Sequence, residues 1–382
     1  MEPLALYIHW PFCLSKCPYC DFNSHVRERI DQARFAACLR AELAWEAARI
    51  GRRPLGSIFF GGGTPSLMDP ETVADLIADA KRLFDATDDC EITLEANPTS
   101  VEAAKLQAFR DAGVNRISIG VQSFNAEDLR RLGRQHSPEQ AIAALETGRR
   151  IFPRISFDLI YARPGQTMDA WRAELRRALE LAADHLSLYQ LTIEPGTVYE
   201  AMHRRSELQL PDPDFAADLY DATGEEAARF GLLGYEVSNY ARPGSESRHN
   251  LAYWRYADYA GIGPGAHGRL SLNNARIATR RHRAPEPWAE LVERQGHGST
   301  AEELVSAPDS AREMLLMGLR LSEGIDAARF ARRTNIELMS IIDADTLVRA
   351  EDALYIDWDG TRLRATSEGR KRLDALLGAL VL

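Results

Sequence analysis

Apolar residues in the first half of the chain fall into two alternating rhythms. Short apolar runs read as strands at 4–10 (Leu-Ala-Leu-Tyr-Ile-His-Trp), 57–60, 91–95, 116–122, 155–160 and 185–192. Between them, apolar positions recur at helical spacing. The stretch 29–50 puts Phe35, Leu39, Leu43 and Ala47 on one stripe, and similar patterns cover 70–84, 126–132 and 138–150. A further helix reaches Ala112 before Gly113, and another ends near residue 183. Strands alternating with helices predict parallel β-α units. Six such units are too few to close an eightfold barrel, so the expected fold class is α/β, a partial (β/α)6 barrel.

Beyond the barrel pattern, residues 235–268 are dense in Tyr and Gly. The run Gly261-Ile-Gly-Pro-Gly-Ala-His-Gly268 has glycine spacing that invites a dinucleotide-binding reading. No clear strand precedes it and Pro264 interrupts the expected helix start, so a close-packed loop over the barrel mouth is expected instead. Residues 275–300 are basic and dotted with Pro, which reads as a connector. Residues 308–382 alternate helical patterns with one strand pair, near 354–356 and 362–364. The expected organisation is a barrel core over 1–235, a Gly- and aromatic-rich segment with connector over 236–305, and a smaller domain over 306–382.

The chain has 382 residues, 45% hydrophobic and 27% charged, and a net charge of −10 from 46 basic and 56 acidic residues. That balance argues against a nucleic-acid or anionic-membrane partner. No run of about 18 apolar residues predicts an integral membrane segment. The opening Met-Glu-Pro-Leu lacks the basic and apolar regions of a signal peptide. Five cysteines, three of them clustered, imply no disulfide framework and point to a reducing compartment, with the cytoplasm expected. Cys38 and Cys90 read as structural.

The chemistry concentrates where the first strand ends. Cys13, Cys17 and Cys20 lie in one short loop, at spacings that let three thiolates converge on a metal centre. A closed zinc site needs four ligands, and only three are local. A four-iron cluster usually takes four cysteines, so three leave one iron open to a small molecule. In parallel β-α folds, ligands bind at the C-terminal ends of the strands. Gly61, Gly62 and Gly63 follow the second strand, Glu95 ends the third and Gln122 the fourth. Asp158 lies in the fifth, and Tyr189 and Gln190 in the sixth. Consecutive glycines permit close approach to the backbone. Glu95 and Asp158 have a plainer reading as helix caps or rim residues.

Cys-x3-Cys-x2-Cys with Tyr19 before the last Cys resembles the signature of the radical S-adenosylmethionine (SAM) superfamily. The resemblance implies a [4Fe-4S] cluster on Cys13, Cys17 and Cys20 and a core able to cleave SAM. It implies SAM contacts from Tyr7, Tyr19, Gly62, Gly63, Thr64, Glu95, Gln122, Arg134 and Asp158. The segments Tyr7–Cys13, Phe60–Ser66, Leu94–Pro98, Ser118–Phe124, Asp158–Tyr161 and Pro164–Thr167 narrow it to the oxygen-independent coproporphyrinogen oxidase (HemN-like) family. Ala162 stands where many of that family have Gly. The family's small C-terminal domain is helix-rich and winged-helix-like.

Two branches divide that family, one decarboxylating coproporphyrinogen III and the other, HemW-type, carrying heme to acceptor proteins. Phe22, where the oxidase branch has a further Cys, favours the heme-carrying branch. So do the short stretch before Cys13 and the motif His249-Asn-x-x-Tyr253-Trp254. The resemblance then implies His249 as heme ligand, with His267 a second candidate and Arg248 a partner for a propionate. The expected function is heme carriage, with coproporphyrinogen III oxidation as the alternative and a structural zinc protein a weaker third.

Overall fold

The computed structural model describes residues 2–381, apart from the side chains of Ser100 and Val101. Six parallel strands form the frame: β1 (Leu4–Trp10), β2 (Pro54–Gly62), β3 (Asp85–Ala96), β4 (Arg116–Gln122), β5 (Arg154–Tyr161) and β6 (His185–Gln190). They pair in chain order, as β-α units require. The helices between them include Gln32–Ile50, Pro70–Leu83, Pro138–Ile151 and Met168–Leu181. Local chemistry sets their starts: Asp31 caps the first, and Ser137 with Gln140 forms a capping box on the third. The helix expected up to Ala112 is two pieces, Ser100–Ala103 and Leu106–Asp111.

The strands alternate, interrupted by register shifts near the start of β2 and the end of β4. One face, including Leu6, Ile8, Phe60, Leu94, Ile117 and Phe157, packs beneath the helices in a single large hydrophobic cluster. The other face is polar. Ser57, Glu91, Thr93, Arg116, Ser156 and His185 are all buried there. Buried polar groups call for partners, and several have them: Ser156 Oγ lies 2.7 Å from His185 Nδ1, whose Nε2 lies 3.0 Å from the Tyr235 hydroxyl, while the Thr93 hydroxyl has none among the described residues.

The sheet extends beyond the barrel pattern on both sides. After β6, β7 (Leu233–Gly234) and β8 (Asn239–Ala241) add an antiparallel edge. On the other side β9 (Tyr259–Ile262) runs parallel to β1, and β10 (His267–Leu272), β11 (Ala275–Arg281) and β12 (Ser299–Val305) continue antiparallel. This corrects two expectations. The glycine run begins inside a strand rather than in a loop, and 275–300 is strand, helix (Pro285–Gln295) and strand rather than connector. Glycine weakens strand propensity and hid β9. Its reason is contact: a Cβ on Gly261 would fall 2.0 Å from the His267 carbonyl oxygen.

A buried ionic network fixes this extension to the first helix. Glu42 accepts from the N–H groups of Gly263 and Gly298, both at 2.7 Å, and from the Trp288 indole at 3.0 Å. Arg281 bridges Glu42 and Glu46. The C-terminal residues build a second hydrophobic cluster around Leu315, Phe330, Leu363 and Leu380, with a three-stranded antiparallel sheet of β13 (Ile325–Asp326), β14 (Ile356–Trp358) and β15 (Arg362–Ala365). Among the described residues no helix is long and apolar enough to cross a membrane.

Candidate functional site: a three-cysteine pocket at the barrel mouth

Immediately after β1, Phe12–Cys13 pairs in parallel with His25–Val26, which pins both ends of the cysteine loop. Inside it the Cys20 N–H donates to the Cys17 carbonyl at 3.2 Å. All three thiols are partly exposed, and no cysteine is in a disulfide. Burial raises the pKa of Cys13 and of Cys20, and in each case neighbouring cysteines of the trio add to the rise. The thiols therefore feel one another. Among the described residues no three His, Cys, Asp or Glu side chains are spaced for a single metal ion. The trio lines one pocket, and three thiolates there suit three corners of a polynuclear cluster.

That pocket, of about 390 Å³, brings together Cys13, Cys17, Cys20, Tyr19, Gly62, Gly63, Thr64, Glu95, Gln122, Arg134 and Asp158. Distant parts of the sequence thus meet at the C-terminal ends of six strands. Thr64 Oγ1 donates to Cys13 Sγ at 3.4 Å, and Arg134 Nη1 to Cys17 Sγ at 3.6 Å. Burial works against the Arg134 charge, yet Tyr19 and Cys17 hold its pKa above the ordinary value. Its other nitrogen donates to Asn97 Oδ1 at 2.5 Å and to the Gly120 carbonyl at 2.8 Å.

The glycines have two tasks. A Cβ on Gly63 would sit 2.7 Å from the Phe12 carbonyl oxygen, and one on Gly62, at φ +116°, would sit 2.6 Å from the His9 ring. They let the chain entering the cysteine loop lie against the end of β2, and they leave the pocket wall bare. The Gly62 N–H donates to Glu95 Oε2 at 3.3 Å. Burial, with Asp158 adding repulsion, pushes the Glu95 carboxyl up to about 8. Burial likewise pushes Asp158 up to about 6, against a hydrogen bond from Ser187. Gln122 holds a left-handed φ of 67°, and its buried Oε1 has no partner among the described residues. Both observations fit a group built to meet a ligand.

Two expected residues lie elsewhere. Tyr7 donates or accepts at 2.9 Å with His9 Nδ1 and lines a neighbouring cavity that shares Gly62 and Glu95 with the first. His249 is 2% exposed. It sits on the short helix Arg248–Trp254, whose first N–H groups and Ser247 hydroxyl bond to Glu91. Its Nδ1 lies 2.9 Å from Ser57 Oγ, its ring stacks on Phe59, and burial drives its pKa down to about 3. Its Nε2 is buried without a partner among the described residues. The helix thus lies against the polar interior of the barrel. Arg248 pairs with Asp89 instead of facing the mouth.

Three contributors went unread in the sequence. Asn97 bonds both Thr64 and Arg134, and Glu102 accepts from the Asn97 N–H at 2.9 Å and from Ser66. Asn23 reaches across to the carbonyls of Pro264 and Arg283, each at 2.9 Å, tying the cysteine loop to the sheet extension. Asn97 follows Glu95 at a strand end, the same positional signal that singled out Glu95 and Gln122. Asn23 and Glu102 carried no comparable signal.

A partial parallel barrel with three thiols, a bare glycine edge and two half-buried carboxyls at its mouth defines the radical SAM class of fold and site. The sequence matches the Radical SAM superfamily over residues 7–178 and the HemN C-terminal domain over residues 305–371. It is 39% identical over 386 residues to radical S-adenosyl methionine domain-containing protein 1, mitochondrial, of Bos taurus, covering 99% of this chain and 87% of that one. It is 36% identical over 386 residues to the heme chaperone HemW of Haemophilus influenzae, covering 99% and 97%. The solved coproporphyrinogen III oxidase (HemN) of Escherichia coli superposes with a TM-score of 0.82 at 23% identity, covering 99% and 89%, a likeness of fold. The chain belongs to the radical SAM superfamily, in its HemN-like family. That family implies a [4Fe-4S] cluster and SAM, and the donor set at the mouth fits both: three convergent thiols, an orphaned Gln122 oxygen and carboxyls of raised pKa facing one cavity. Relatives named as mitochondrial leave the expected cytoplasmic location a matter of proposal.

Proposed function

We propose that this protein is a heme chaperone, binding heme and passing it to acceptor proteins, with a radical SAM core. The observation that carries the reading is end-to-end likeness, at 35–39% identity, to proteins named heme chaperone HemW, together with Phe22 at the mouth where the oxidase branch has a cysteine. Phe22 is 59% exposed and adds no fourth thiol to the loop.

In this reading Cys13, Cys17 and Cys20 hold a [4Fe-4S] cluster, and its open iron supplies a binding and electron-transfer site for SAM. The bare backbone of Gly62 and Gly63 and the Thr64 hydroxyl receive the amino-acid end of SAM, and Arg134 faces its carboxylate. Glu95 and Asp158 accept from its hydroxyls or amine, and Gln122 supplies its unpaired carbonyl. Tyr19 packs beside the loop. Tyr7 reaches the ligand from the adjoining cavity, through which it borders Gly62 and Glu95. His249 is proposed as a heme ligand through its free Nε2, which requires its ring to turn from Ser57 and Phe59 toward the cavity lined by Tyr253, whose ring lies 5.0 Å away. A reducing compartment, the cytoplasm, suits five free thiols.

The test is anaerobic cluster reconstitution, followed by heme titration and a coproporphyrinogen III assay on the same sample. Heme uptake near one per chain without decarboxylation is expected. Turnover to protoporphyrinogen would replace this reading with the oxidase.

A further inference from the structure

Beside the cofactor pocket lies a larger cavity, of about 900 Å³, between β1 and the sheet extension, which the proposed SAM contacts touch only at its edge, through Tyr7, Gly62 and Glu95. It falls within the range of small-molecule sites, roughly 300–1,000 Å³. Most arginines here are locked to carboxylates, including Arg27 to Glu286, Arg269 to Glu313 and Arg276 to Asp258. Arg280 and Arg283 line this cavity, and neither has a carboxylate partner among the described residues. His267 stands directly opposite Arg280 across the β10–β11 ladder, so the two side chains share one face. The acidic member of the lining is Glu95, at the edge shared with the cofactor pocket.

Cations left unpaired over a cavity call for an anion, and guanidinium forks select planar carboxylates. Aromatic side chains share the lining with Asn23 and Thr300: Tyr253 and Tyr259, with ring centroids 4.3 Å apart and planes tilted by 57°, and Phe22. Aromatic rings and a pair of guanidinium forks lining one cavity suit a ring-shaped apolar ligand bearing acidic side arms.

We infer that this cavity binds the tetrapyrrole, with its carboxylate side chains on Arg280 and Arg283 and its ring against Tyr253 and Tyr259. The ligand class rests on the proposed function, but the site does not depend on which branch is right, because heme and coproporphyrinogen both carry carboxylate arms. The basic run Arg280–Arg283, read from sequence as connector, is then the anionic-ligand edge of the site. The ring would lie beside Glu95, at the wall shared with SAM.

The test uses the full-length reconstituted protein and metal-free deuteroporphyrin, followed by quenching of its fluorescence, with its dimethyl ester as control. Substituting R280Q and R283Q together should weaken the free acid about tenfold per arginine and leave the ester nearly unchanged. The R280K/R283K pair should recover part of the loss, and SAM affinity should hold, which separates the effect from misfolding. Equal affinity of wild type and R280Q/R283Q for the free acid overturns the site, as does a wild type that binds no porphyrin. If the site behaves as inferred while the protein decarboxylates coproporphyrinogen III, the chaperone reading falls and the site stands.

Discussion

At the scale of single residues, the mouth depends on atoms that are missing. Gly63 has no room for a methyl group because the Phe12 carbonyl occupies that space, and backbone cannot step aside as a flexible side chain can. Gly63→Ala should therefore displace the cysteine loop and lower the iron retained after reconstitution well below wild type, while bulk secondary structure by circular dichroism is kept. Iron content equal to wild type would contradict this. Glu95 supplies a second expectation, with a definite sign. Its folded pKa of about 8 lies above its ordinary 4.5, so between those values the native protein holds a proton that the unfolded chain has lost. The carboxyl's contribution is fully present below about 4.5 and is lost as pH rises toward 8. The Glu95→Gln variant should show a flatter fall in urea midpoint over that window. The proposed cationic cofactor favours the ionised carboxyl, so SAM affinity should rise with pH over the same range, by up to about tenfold per unit for one linked proton. A pH-independent affinity would remove Glu95 from the contact.

At the scale of elements, the join between barrel, extension and C-terminal cluster rests on Asp258, just before β9. It accepts from Arg53 and Arg333, at 2.9 and 2.8 Å, and from Arg276 and Ser271. Burial opposes its charge, but Arg276 and Arg333 more than offset this and hold the carboxyl below the ordinary carboxylate range. Its contribution is thus present above about pH 4 and lost in acid, opposite in sense to Glu95. Asp258→Ala leaves three buried or half-buried guanidinium groups without their common partner. It should cost about 3–5 kcal/mol in urea unfolding, and a change below 1 kcal/mol would show that the join lies elsewhere. This level was also where the sequence was hardest to read. The six barrel strands announce themselves by apolar runs, and their polar ends located Glu95, Gln122 and Asp158. β9 was hidden by the glycines that let His267 come close, and β11 by arginines, because polar alternation facing a cavity resembles a linker. Asn23 and Glu102 act through hydrogen bonds to segments distant in sequence, which no local pattern encodes.

For the whole molecule, the sequence motifs divide between two regions. The cysteine loop, Thr64, Asn97 and Arg134 form one connected hydrogen-bonded wall at the mouth. The His249 motif lies against the barrel interior, with Glu91 at the start of its helix and Phe59 against its ring. A sequence shows only that both motifs are present; the separation appears when β2 and β3 place Ser57 and Glu91 under that helix. If His249 ligates heme, His249→Ala should weaken heme uptake and remove the corresponding change in the heme absorption spectrum. Unchanged titration and spectrum would leave His249 a structural residue.

The central claim is that three thiols at the barrel mouth hold a cluster with one iron open to SAM. The most direct measurement is iron and sulfide content of anaerobically reconstituted protein, read with the electron paramagnetic resonance of the reduced sample before and after SAM. The account predicts about four irons and four sulfides per chain, a spectrum altered by SAM, and loss of both on Cys17→Ala. Zinc without sulfide, or a cluster whose spectrum ignores SAM, would contradict it.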